Sequence, residues 1–128
     1  MDKNKFSLRK RIRSFGYAFN GLWILIKEEH NARIHFLAAI IAIAAGLYFN
    51  ISGLEWIGIV FAIALVFVTE IINSAIENTA DLITKDKNPT IKKIKDLSAA
   101  AVLFSAITAL IIAAIVFIPK ISELCSAY

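Results

Sequence analysis

This 128-residue chain carries one cysteine, two prolines and two histidines. The single Cys125 excludes an intramolecular disulfide, and its place near the outer end of the last apolar stretch argues against a catalytic thiol. Nothing repeats at a fixed period and no segment is of low complexity, which excludes repeat arrays. The basic N-terminus leads into an amphipathic stretch rather than a short apolar core with a cleavage site, so no signal peptide is expected. A P-loop is also lacking: "GYAFNGLW" spaces Gly16 and Gly21 suitably, but Leu22 and Trp23 stand where Lys and Ser or Thr are needed, and no strand precedes them.

What the chain has is apolar sequence. Hydrophobic residues make up 59% and the mean hydropathy is +0.70, far above the needs of a soluble core of this size. The expected fold is an all-α membrane protein with a single domain. Residues 34–51, 54–72 and 97–118 each approach the roughly 17–25 residues that cross about 30 Å of hydrocarbon as a helix. Asn50, Ser52 and Gly53 turn the first two into an antiparallel hairpin. The third contains no charge, and Pro119 is expected to close it.

Lys and Arg set the expected orientation. Eight precede the first span, five lie between the second and third, and Lys120 alone lies elsewhere. The positive-inside rule then puts the N-terminus and the 82–96 loop in the cytoplasm, and the C-terminus outside. The net charge of +4 reflects this bias and attraction to anionic headgroups, not nucleic acid. Within residues 6–30, Leu8, Ile12, Phe15, Phe19, Leu22 and Ile26 recur at spacings of three and four. That pattern predicts an amphipathic helix, lying on the membrane surface or packed on protein. Ala38, Ala42 and Gly46, and Ala99, Ala106 and Ala113, form small-residue faces that predict self-association.

The stretch "TEIINSAIENTADLI", residues 69–83, carries the chemistry. At 100° per residue, Glu70, Asn73, Glu77 and Asp81 fall within about 80° of one another, on one face of a helix that continues past the bilayer. Glu70 lies about 24 Å from Leu54, near the edge of the hydrocarbon, and Glu77 about 10 Å further out. A desolvated carboxylate accepts a proton readily, whereas a hydrated one stays ionised and holds a hard cation. Glu70 therefore suits a base and Glu77 a metal ligand. Glu28, Glu29, Arg33, Lys95 and Asp96 reach the same interface by topology, and such acids with a nearby Lys suit phosphoryl transfer with Mg²⁺. Each of these residues alone would more often be structural or solvated; three acids and an amide on one face at graded depth favour a site. His30 and His35 are read as interfacial hydrogen-bonding residues without a catalytic role. A cation or proton pathway in a small oligomeric transporter, or a membrane scaffold, are the rival readings. The first is weakened because residues 57–68 and 99–118 hold nothing more polar than Ser105 and Thr108.

"EIINSAIENTADLI" resembles the signature of the small bacterial integral-membrane lipid kinases, the diacylglycerol kinase and undecaprenol kinase family. The likeness extends to "GYAFNGLW", "EEHNARIH", "LEWIGI" and "KDLSAAAVL" and covers nearly the whole chain. It implies a homotrimer in the bacterial cell membrane, with three transmembrane helices and a surface helix per subunit. ATP would reach the site from the cytoplasm and the lipid alcohol from the bilayer. By position, Glu70 matches the general base, and Glu29 and Glu77 the Mg²⁺-binding carboxylates. Asn73, Asp81, Lys95, Asp96 and Tyr17 match the nucleotide site, and Arg9, Lys10 and Arg33 match, loosely, contacts to phosphate or headgroup. His35 in "RIH" and the loop "TKDKNPTIKKIKD" depart from the Gram-negative diacylglycerol kinase pattern and favour undecaprenol as acceptor, with diacylglycerol second.

Overall fold

The computed structural model describes residues 7–127, which form four α-helices. These are α1 (Leu8–Glu28), α2 (His30–Tyr48), α3 (Gly53–Ile83) and α4 (Pro89–Ser126). The last three are long and apolar enough to cross a membrane.

The α2–α3 hairpin is built from matched termination and initiation signals. Asn50 takes a positive φ of 48°, which an asparagine tolerates better than a bulky residue. Around it, Ile51 N donates to Gly46 O at 3.1 Å and Asn50 N to Leu47 O at 3.3 Å, the paired bonds of a Schellman termination. Ser52 then caps α3: Glu55 N donates to its Oγ, while Ser52 N donates to Glu55 Oε2 at 2.6 Å, a reciprocal capping box. Ile51, just before the cap, is buried with Ile59 and Val116, and Trp56 packs against that cluster. Trp56 lies so close to α2 that a Cβ at Gly46 would sit 2.7 Å from its Cη2.

α4 packs along most of α3, more extensively than α2 does. The contacts Lys120–Glu55, Ser105–Thr69, Ser98–Asn73 and Lys95–Asp81 run in opposite numerical order, which makes the pair antiparallel. Polar groups face inward: Glu70, Ser74, Ser98 and Ser105 are buried, while Leu54, Phe61, Phe104 and Ile115 are exposed. Such a distribution suits a hydrocarbon solvent, where polar groups must find partners inside the bundle.

Two boundaries differ from the sequence expectation. α4 starts at Pro89, not near 97, so only residues 84–88 separate α3 from α4. Asn88 caps this end, its side chain accepting from Thr90 N and Ile91 N, and proline is at home in a first turn whose N–H groups lack helical partners. Nor does Pro119 close the helix, which continues to Ser126. Proline removes one backbone donor, and neighbouring helices can support such a site in a spanning helix. Lys120, the next residue, reaches Glu55 on α3 at 3.6 Å.

Candidate active site

The site sits at the end of the bundle opposite the α2–α3 turn, where α1, α2, α3 and α4 converge. α3 supplies most of it. Glu70 is 2% exposed, where the apolar run of α3 gives way to its polar end. From α2, His35 Nε2 approaches Glu70 Oε1 at 3.2 Å. That oxygen has no aligned hydrogen-bond donor among the described residues. His35 of α2, Glu29 of the α1–α2 junction and Glu77 of α3 itself are near enough to act electrostatically on this carboxylate.

Glu29 reaches the site by way of a break in the chain. It is the single extended residue between α1 and α2, with φ −96° and ψ 116°. Its carboxylate does not cap α2; instead, its Oε1 accepts from Ser74 Oγ on α3 at 3.1 Å. Arg33 secures the break by donating from Nε to Ile26 O at 2.9 Å and from Nη2 to Lys27 O. These carbonyls belong to the last turn of α1, where backbone acceptors lack helical partners and a cation is favoured.

One turn beyond Ser74 lies Glu77, half-buried, with Oε1 accepting from Asn73 Nδ2 at 3.2 Å. Asn73 Oδ1 in turn accepts from Ser98 Oγ on α4 at 2.7 Å. Further out, Lys95 Nζ donates to Asp81 Oδ1, tying α4 to α3. Asp96 pairs with Lys92 on its own helix rather than with this link. Tyr17, Arg9 and Lys10 are exposed on α1, and no hydrogen bond joins their side chains to the site among the described residues. Arg33, expected at phosphate or headgroup, is directed to the α1 carbonyls.

Three cavities adjoin these residues, one of them, of about 400 Å³, between α3 and α4 beside Asn73 and Ser98; the other two bear on the chemistry. One, of about 320 Å³, lies among α2, α3 and α4 and is walled by Ala38, Ala42, Ala106, Ala109 and Phe67, with His35 as its polar member. The other, of about 530 Å³, lies between α1 and α3, where Ser74 and Asn78 face Gly21 and Leu25. Among the described residues no group of three or more His, Cys, Asp or Glu is gathered at metal-ligand spacing. Glu29 and Glu77, each half-buried with one oxygen held by a neighbour, fit a cation completed by phosphate and water, because Mg²⁺ needs only one or two protein carboxylates.

The sequence assigns no part in the site to Ser74 or Ser98, and reads His35 only as an interfacial hydrogen-bonding residue. His35 had a signal: counted back from the hairpin turn, it lies at nearly the depth of Glu70. The serines had none, because each is an ordinary small residue until the helices are in register.

Helices that expose apolar faces, enclose polar ones and gather carboxylates at one end define a membrane protein with a polar cluster at one end of its bundle. A family profile described as prokaryotic diacylglycerol kinase matches residues 16–117, and the chain belongs to that family of lipid kinases. It is 36% identical over 114 residues to the undecaprenol kinase of Bacillus subtilis (strain 168), covering 89% of this chain and 93% of that protein. It is 28% identical over 111 residues to the diacylglycerol kinase of Escherichia coli (strain K12), covering 87% and 91%. The diacylglycerol kinase of Synechocystis sp. is 30% identical over 112 residues, 87% of this chain and 64% of that protein.

Proposed function

We propose that this chain transfers the γ-phosphate of ATP to the hydroxyl of a membrane lipid alcohol, undecaprenol by preference and diacylglycerol second. One observation carries the reading: a carboxylate that is 2% exposed faces an imidazole at 3.2 Å, with Glu29 and Glu77 brought to the same end of the bundle. In this reaction Glu70 accepts the proton of the lipid hydroxyl. The hydroxyl oxygen forms a bond to the γ-phosphorus as the bond from that phosphorus to the bridging oxygen breaks, releasing ADP. Glu70 then returns its proton to water.

Glu29 and Glu77 would hold Mg²⁺. When bound, it neutralises phosphate charge and orients the transferring group. The α1–α3 cavity beside Ser74 offers the nucleotide an approach, and Lys95 adds positive charge at the same end. The apolar cavity below His35 suits a lipid tail. The acceptor preference rests on the 36% identity to an undecaprenol kinase. We further assign the N-terminus and the α3–α4 connection to the cytoplasm, α1 to the membrane surface, and the functional unit to a homotrimer. The lysine and arginine bias, the exposed apolar face of α1 and the small-residue faces support these assignments.

The test is direct. The purified chain in lipid bilayers, given labelled ATP, Mg²⁺ and either undecaprenol or diacylglycerol, should label undecaprenol faster. Labelling of neither alcohol would sink the kinase reading, and faster labelling of diacylglycerol would reverse the acceptor assignment.

A further inference from the structure

Glu70 is almost wholly enclosed, and it does not line the apolar cavity among α2, α3 and α4. His35 does line it, and the same imidazole stands 3.2 Å from Glu70 Oε1. The histidine is therefore placed between the cavity and the carboxylate. It is held there by α2, whose next residue, Phe36, packs edge-on to Phe67 of α3 at a ring-centroid distance of 6.5 Å. Glu70 Oε1 has no aligned donor among the described residues, so the nearby imidazole is the group best placed to fix its direction. Catalytic hydrogen bonds are often poorly aligned before substrate arrives and tighten when it does.

We propose that His35 is a positioning residue for the phosphotransfer: its Nε2–H holds one oxygen of Glu70, so that the other meets a lipid hydroxyl arriving past the imidazole from the alanine-lined cavity. This rests on the kinase reading above. An Nε2–H can donate whether the ring is neutral or charged, so the role does not require a particular protonation state. An aliphatic side chain of similar size would fill the space without fixing the carboxylate. Misplacement of a reacting group by about 1 Å is enough to slow an enzyme about a hundredfold.

Three variants in lipid bilayers test this, with undecaprenol as acceptor and folding followed by thermal unfolding. His35→Leu should lower kcat about a hundredfold while leaving KM for MgATP unchanged. His35→Gln, which keeps an N–H donor at comparable reach, should recover most of that loss. His35→Ala should be slow but revived by added imidazole, which the adjoining cavity of about 320 Å³ can admit. This last arm decides the matter even if the leucine variant fails to fold. A folded leucine variant with wild-type kcat, or an alanine variant that imidazole does not revive, overturns the proposal alone. Wild-type protein that phosphorylates no lipid alcohol overturns the kinase reading, and this proposal with it.

Discussion

Ser98 on α4 donates to Asn73 Oδ1 at 2.7 Å, and this fixes which end of the Asn73 amide faces Glu77. With its oxygen taken up by the serine, Asn73 presents Nδ2 to the Glu77 carboxylate at 3.2 Å. Replacing Ser98 with alanine frees the amide to turn. A lost hydrogen bond of this kind is worth about 1 kcal/mol, so Ser98→Ala should raise KM for MgATP about fivefold, with a smaller change in kcat. Steady-state kinetics at varied MgATP check this.

Glu70 and Glu77 should fail differently. A general base contributes typically about 10²–10⁴-fold, so Glu70→Gln should lower kcat by that order while the Mg²⁺ concentration for half-maximal rate stays where it was. Glu77→Gln should shift that concentration upward. Magnesium titrations of the two variants distinguish the roles; matching shifts in both would remove the distinction drawn between them.

At the other end of the bundle, Gly46 permits the close approach of α2 and Trp56. A Cβ there would lie 2.7 Å from Cη2, 2.9 Å from Cζ2 and 3.1 Å from Ile51 Cδ1. Overpacking of this kind destabilises by about 1–3 kcal/mol. Gly46→Ala should therefore lower the midpoint of thermal unfolding, and adding Trp56→Leu should recover part of the loss, which a double-mutant cycle would register as coupling.

Ser52→Ala should also destabilise, by about 0.5–2 kcal/mol, because the cap of α3 loses the oxygen that receives Glu55 N. Asn50→Gly should be nearly neutral, since its positive φ suits glycine, whereas Asn50→Val should be clearly destabilising. Unfolding midpoints of the three variants give the order.

Much of this architecture was readable in the residues. The hairpin follows from Asn50, Ser52 and Gly53, and α3 running on past its apolar stretch follows from Glu70, Asn73, Glu77 and Asp81 sharing a face. The early start of α4 was also signalled, by Asn88 before Pro89, but the lysines that follow read more readily as a loop. Pro119 does not end α4, because a proline removes a single backbone donor and the helix runs on beyond it to Ser126. Of the links that assemble the site, only the shared depth of His35 and Glu70 is legible in the sequence; the contact itself, and the bonds of Ser74 with Glu29 and Ser98 with Asn73, are not. Each joins two helices, and their relative rotation and register are set by side-chain packing rather than by any one segment's periodicity.

The junction at Glu29 has a mechanical consequence. Because one extended residue joins α1 to α2, with Arg33 clasping the carbonyls on the far side, this joint carries a carboxylate of the candidate centre. Any swing of α1 about that joint pulls directly on the bond to Ser74. The geometry of the candidate centre is thus coupled, through one residue's backbone, to how the first helix lies.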